Sequence, residues 1–307
     1  MARVKTKRNS LLQPYLKWAG GKRQLLPEIG KHIPKSYNTY YEPFVGAGAV
    51  LFDLRPEKAV INDVNSELVN TYKVIKSIDG VRALIELLKF HKENNSKEYF
   101  YKVRDEDRQE DYQDKSPVEK AARLIYLNKT CFNGLFRVNS QGQFNVPFAN
   151  YKNPNIVNEF VLTTVHNYLN STEIEILNID FKEALSTAKK GDFIYLDPPY
   201  DPVSDTSSFT GYSLDGFNKD DQIRLRDTFV ELDKRGCKVL LSNSNTDFIR
   251  RIYGKYGYNI KVVSAERNIN SIASKRGKIE EKTLLQIDCG KNVEEQYSTA
   301  INRINII

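Results

Sequence analysis

The feature that most constrains this chain is a change of period along it. Short apolar runs of strand length, "KAVIND", "EIEIL", "FIYL", "KVLLS", "YNIKVV" and "KTLLQI", recur with helical patterns between several of them. From about Ser66 to about Leu169 the signals are instead mostly helical, as in "GVRALIELLKF" and "SPVEKAARLIYLNK". Alternation implies an α/β sheet domain, and its interruption implies a helical module inserted into that domain. The expected division is 1–65 and 171–307 for the sheet domain and 66–170 for the insertion. A chain of 307 residues is long enough for one core plus such a module. Within the insertion, "RDEDRQEDYQDK" reads as a charged, exposed stretch.

Open α/β sheets collect ligands at the carboxyl ends of their strands, so the residues just after each apolar run matter most. "YYEPFVGAGAVLF" reads as strand, glycine turn and helix, with Gly46 and Gly48 allowing close approach of the backbone to a ligand. A tight turn alone would explain a lone GxG. Asp63, at the end of the next strand, strengthens the reading, because an acid there commonly accepts ribose hydroxyls. Leu51 stands where a dinucleotide fingerprint places its third glycine. "LKWAGGKR" lacks the first glycine and the Ser or Thr of a phosphate-binding P-loop. A nucleoside without phosphates fits better. The third place is "FIYLDPPYDP", where Pro198 and Pro199 cannot donate ladder hydrogen bonds and the strand must stop at Asp197.

Lysine and arginine number 46 against 39 acids, a net charge of +7, which suits an anionic partner such as nucleic acid. Cys131, Cys237 and Cys289 are isolated, with no CxxC pair, so neither a metal site nor a disulfide framework is expected. The polar "PYLKWAGGKR" follows the basic N-terminal stretch, and no apolar run is long enough to span a bilayer. A cytoplasmic chain with no membrane association and no required protein partner is expected.

Four strings together carry a resemblance: "KWAGGK" (Lys17 to Lys22), "EPFVGAG" (Glu42 to Gly48), "NGLFRVNSQGQFNVPFANY" (Asn133 to Tyr151) and "DPPYDPVSDTSSFTGY" (Asp197 to Tyr212). With "RGKIEEKTLL" near the end, they run in order over about Pro14 to Ile287, and the chain resembles the Dam-type adenine-N6 DNA methyltransferases. The resemblance implies a Rossmann-like S-adenosylmethionine-dependent methyltransferase sheet with an inserted helical DNA-recognition domain. It implies S-adenosylmethionine as cofactor and double-stranded DNA as partner. Trp18 and Lys22 would lie beside the cofactor, Phe44, Gly46 and Gly48 around its methionine part, and Asp63 at its ribose. Asp180 and Phe181 of "NIDF" would hold and pack on its adenine, and Asp197 would border it.

The same resemblance explains the proline loop. Adenine's exocyclic nitrogen is a poor nucleophile because its lone pair is delocalised, and acceptors at the amino hydrogens favour the localised geometry as charge develops. The Asp197 carboxylate and the Pro198 carbonyl are the expected acceptors, Pro198 and Pro199 stiffen the loop, and Tyr200 stacks on a base turned out of the helix. A cytosine-C5 mechanism would need a thiolate in a Pro-Cys context, but the cysteines follow Thr130, Gly236 and Asp288. For DNA reading, Phe132, Asn133, Leu135 and Arg137 match the region that enters the duplex, and Lys17 matches another DNA-facing position. Arg267, Lys275, Arg276 and Lys278 suit the phosphate backbone from a hairpin loop. GATC is the target implied by resemblance. An RNA or cytosine-N4 methyltransferase and a DNA-binding regulator without turnover remain as alternatives.

Overall fold

A computed structural model of the chain describes residues 11–18, 20–202, 216–265 and 282–291. Each expected apolar run is a strand: β1 (Tyr40–Glu42), β2 (Lys58–Asn62), β3 (Glu173–Leu177), β4 (Phe193–Leu196), β5 (Lys238–Ser244), β6 (Tyr258–Ala265) and β7 (Lys282–Lys291). Their order in the sheet is β3-β2-β1-β4-β5-β7-β6, and the five strands from β3 to β5 form a central parallel sheet. The chain is thus mixed α/β, consistent with a Rossmann-like methyltransferase fold. The order reverses between β1 and β4, the kind of switch point where open α/β sheets bind ligands.

Two compact units divide the described residues. The first comprises the residues up to Arg23 together with Val45–Ile179. It holds the parallel pair β2 and β3, the helix α2 (Ala49–Leu54) and the helical block α3 (Ser66–Lys76), α4 (Ile78–Glu93), α5 (Lys97–Arg104), α6 (Pro117–Thr130) and α7 (Glu159–Ser171). Local sequence sets the helix starts. Asn65 and Ser77 accept from the Leu68 and Gly80 amides, and Ser116 with Glu119 forms a reciprocal cap ahead of α6, with Pro117 in the first turn. Helix α6 packs against α3, α4 and α5 and is buried on all sides from Ala121 to Asn128, so it forms the axis of the block.

The charged stretch after α5 is mostly exposed or half-buried, as expected, but two of its residues depart from that reading. It forms two short 3₁₀ helices, Asp105–Arg108 and Glu110–Asp114, that carry Asp107 and Tyr112 inward. Arg123, 1 % exposed, is the cause. Its guanidinium donates to the Val103 and Arg104 carbonyls, pairs with Asp107 at 2.8 Å and lies over the Tyr112 ring.

The second unit comprises Gln24–Phe44 and the described residues from Asp180 onward. It contains α1 (Leu26–His32), the parallel strands β1, β4 and β5, the antiparallel β7 and β6, and helices α8 (Phe181–Ala184), α9 (Lys219–Lys234) and α10 (Asp247–Gly254). All four residues of β4 are buried, as expected of a central parallel strand. Eight residues of β7 pair antiparallel with β6, matching the expected hairpin arms; residues 266–281 between them lie outside the described residues.

Removing one partner of a buried ion pair strands the other. Arg123→Ala is therefore expected to lower the unfolding free energy by about 3 to 5 kcal/mol in urea denaturation. A loss below about 1 kcal/mol would contradict the assigned role of Arg123.

Candidate active site

At the carboxyl end of β4 the chain enters Asp197, Pro198, Pro199 and Tyr200, beside the end of β1, whose Tyr40 and Tyr41 pair with Phe193 and Ile194. Pro198 is buried, while Asp197 and Tyr200 are half-buried. Burial, and then the neighbouring Asp197 charge, holds the Tyr200 phenol well above the ordinary tyrosine range, so it stays protonated.

The loop's backbone is held by side chains that the sequence reading missed. Gln222 on α9 donates through Nε2 to the Pro199 carbonyl at 2.9 Å, and its Oε1 accepts from Asn243 Nδ2 at 2.9 Å. Asn243 Oδ1 in turn accepts from the Asp201 and Ser244 amides. Ser244 Oγ donates to the Asp201 carbonyl at 2.6 Å, and Thr246 Oγ1 to the Asp201 carboxylate at 2.6 Å. Gln222, Asn243, Ser244 and Asp201 are all buried.

The same unit gathers an aromatic cluster from the loop after β1, the start of α8 and the approach to α9. Phe44 lies 5.4 Å from Phe181 and 5.9 Å from Phe217 between ring centroids. Asp180 caps α8 through the Lys182 amide and forms an ion pair with Arg224, whose guanidinium lies 4.6 Å over the Phe181 ring. Phe44, Asp180 and Phe181 are thus brought together, with Phe217 and Arg224 as neighbours, whereas the sequence reading put Phe44 at the methionine part of the cofactor and the other two at its adenine.

In the first unit the glycine turn closes on Asp63. The Gly46 amide donates to one carboxylate oxygen at 3.0 Å, and the Asn65 amide to the other at 2.9 Å. Gly46 and Gly48 both have positive φ, 51° and 74°. A Cβ on Gly46 would sit 3.1 Å from the Trp18 ring, and one on Gly48 2.7 Å from the Tyr72 hydroxyl. These turns therefore require glycine on two counts. Burial pushes the Asp63 carboxyl up to about 6, against the pull of the Asn65 and Gly46 amides. Trp18 stacks on Phe136 at 5.2 Å, and Lys22 is buried with its ammonium folded onto the Gly20 carbonyl.

Also in this unit, Asn128 bridges two backbone segments. It accepts from the Lys17 amide and donates to the Lys17 and Gly134 carbonyls. Lys17 Nζ lies 5.3 Å over the Tyr151 ring, and the Tyr151 hydroxyl accepts from the Asn133 amide. Asn133 adopts the left-handed region, φ 56°, between exposed Phe132 and half-buried Leu135. Exposed Arg137 rests on the Asn145 carbonyl. Lys17, Phe132 and Asn133 are brought together, and Asn128 and Tyr151 are the residues that do it. Arg267, Lys275, Arg276 and Lys278, and the stretch 203–212 after the proline loop, lie outside the described residues.

The model of D12 class N6 adenine-specific DNA methyltransferases matches residues 18–269. The chain belongs to this family. This D12-class chain is 48 % identical over 270 residues to the type II methyltransferase M1.LlaDCHI of Lactococcus lactis subsp. cremoris, covering 88 % of this chain and 94 % of that one. It is 44 % identical to the type II methyltransferase M.MjaIII of Methanocaldococcus jannaschii, covering 86 % and 95 %. To the DNA adenine methylase of Escherichia coli K12 it is 33 % identical, covering 87 % and 92 %. Family and relatives support DNA adenine methylation, and membership implies S-adenosylmethionine as methyl donor and DNA as substrate. Burial pushes the Cys131 thiol up to about 12, which leaves it unsuited to thiolate chemistry. No helix among the described residues is long and apolar enough to cross a membrane.

A folded carboxyl that keeps its proton to about 6, against an ordinary 3.8, makes folding take up a proton between those values. The contribution of Asp63 to stability is therefore greatest at low pH and declines as pH rises through that window. Carboxyl-carbon NMR is expected to show a titration near 6 that Asp63→Asn abolishes. An Asp63 signal titrating at the ordinary value would contradict the assignment.

Proposed function

We propose that this chain is a site-specific adenine-N6 methyltransferase of duplex DNA, acting on an adenine turned out of the helix, with GATC as its target. The observation that carries the reaction is the Asp-Pro-Pro-Tyr loop at the carboxyl end of β4, held rigid beside the sheet's switch point in a chain of the adenine-specific family. The target sequence rests on the resemblance of the motif strings alone.

The residues suit a nucleoside cofactor without phosphates. By resemblance of the motif strings, Asp180 and Phe181 are proposed to hold and pack on its adenine, and Asp63 to accept its ribose hydroxyls. Phe44, Gly46 and Gly48 are proposed for the methionine part, with Trp18 and Lys22 beside the cofactor. S-adenosylmethionine supplies an electrophilic methyl group on a sulfonium sulfur. Asp197 and the Pro198 carbonyl accept the two amino hydrogens of the adenine, which localises the nitrogen lone pair and offsets the positive charge that develops on it. Tyr200, kept protonated, contributes its ring face rather than a charge. Residues 66–170 are proposed as the target-recognition insertion, with Lys17, Phe132, Asn133, Leu135 and Arg137 toward the bases and Arg267, Lys275, Arg276 and Lys278 toward phosphates.

Asp197→Ala is expected to cut single-turnover methylation of a duplex by at least about a hundredfold while S-adenosylmethionine affinity changes far less. A folded variant at the wild-type rate would rule the mechanism out. Arg137→Ala is expected to relax preference at one base pair by about 1 to 3 kcal/mol, read from competition between GATC and singly altered duplexes. Equal losses for cognate and altered sites would reassign Arg137 to backbone binding.

A further inference from the structure

We infer that Gln222 is a positioning residue for methyl transfer, acting through the Pro199 carbonyl to fix the direction of the Asp197 and Pro198 acceptors; this rests on the proposed role of the Asp-Pro-Pro-Tyr loop. Two consecutive prolines deprive the loop of amide donors, so its carbonyls can be fixed only by donors from elsewhere. Gln222 Nε2 is such a donor, 2.9 Å from the Pro199 oxygen, and Gln222 is 1 % exposed on a helix otherwise rich in charge. Its own orientation is not free. Asn243 Nδ2 donates to Gln222 Oε1, and Asn243 Oδ1 is taken by the Asp201 and Ser244 amides, so the Gln222 amide group must present its nitrogen to Pro199.

The loop is thereby fastened on both sides of Tyr200: at Pro199 by Gln222, and at Asp201 by Asn243, Ser244 and Thr246. Fixing the Pro199 carbonyl fixes the one backbone torsion that its ring leaves soft. Asp197, Pro198 and the intended substrate nitrogen need alignment that a displacement of about 1 Å would degrade by as much as about a hundredfold. Gln222 therefore governs the chemical step, acting on the acceptors rather than on the residues proposed for the adenine, ribose and methionine parts of the cofactor.

Gln222→Glu separates positioning from simple packing. A protonated glutamic acid of the same shape can donate to Pro199 and accept from Asn243; the ionised form cannot donate. Charged groups on the elements around it are Asp197 and Asp201 on the loop, Lys219, Asp220, Asp221, Arg224, Arg226 and Asp227 on the neighbouring turns of α9, and Lys238 at the start of β5, whose Ser242, Asn243 and Ser244 are neutral. Burial and the loop acids favour the protonated form into the neutral range.

The test is single-turnover duplex methylation by the full chain from about pH 6 to about pH 9, expressed as the ratio of variant to wild type at each pH, with calorimetric S-adenosylmethionine affinity and thermal unfolding measured alongside. The ratio is expected to fall by about tenfold or more as pH rises, in protein that stays folded and binds cofactor within about threefold of wild type. A flat ratio, or a loss matched by cofactor affinity or by unfolding, would overturn the inference. Should Gln222→Glu not fold, Ser244→Ala removes one fastening at Asp201 without adding charge, and is expected to slow the same step by about threefold or more. An unchanged rate there would likewise overturn it. Asp197→Ala in the same assay separates the two claims: full activity would discard the loop reading itself, while an inactive Asp197→Ala beside a flat Gln222→Glu ratio would discard only the positioning role.

Discussion

A carbonyl of a proline pair, accepting a hydrogen bond from a buried glutamine, is the interaction on which the rest of this site depends. Strand β4 ends where its backbone loses two successive donors, and the chain leaves the sheet with no ladder to guide it. Rigidity must then come from side chains, and Gln222, Asn243 and Ser244 provide it from α9 and β5. These polar groups are affordable in the interior because each is paired, and an unpaired member would cost more than the network gains. The arrangement fastens, at Pro199 and Asp201, the loop that carries Asp197 and Pro198 out of the carboxyl end of β4.

The glycine turn in the other unit follows related logic with opposite chemistry. There the backbone supplies the donors, Gly46 and Asn65, and a side chain, Asp63, accepts them. The positive φ of Gly46 and its closeness to Trp18 explain why a side chain is excluded at the position where the resemblance puts the cofactor. Desolvation raises Asp63 without neutralising it at pH 7, so its oxygens remain acceptors under ordinary conditions.

Most of the sheet was legible because its strands are short apolar runs bounded by glycine, proline or acid, as β4 is by Asp197 and Pro198. Phe44, Gly46, Asp180 and Phe181 stand out as candidates because they lie in contiguous strings next to strand ends. Gln222 does not: on a helix that reads "KDDQIRLRDTFVELDK" it looks like one more solvated polar residue, and only packing against the proline loop buries it. Asn128 and Lys17 lie 111 residues apart, a separation that no local pattern reveals. A run of charges is usually solvated, so nothing local marks Asp107 as a residue that the buried guanidinium of Arg123 draws in.

Amino methylation of adenine is the activity on which every proposed residue role rests, and nucleoside mass spectrometry tests it most directly. Duplex DNA containing GATC is incubated with the purified chain and methyl-labelled S-adenosylmethionine, digested to nucleosides and separated. The label is expected in N6-methyladenine, at the adenine of GATC. Label in N4-methylcytosine, label in a co-incubated RNA but not in DNA, or no transfer by folded protein that binds DNA would contradict it.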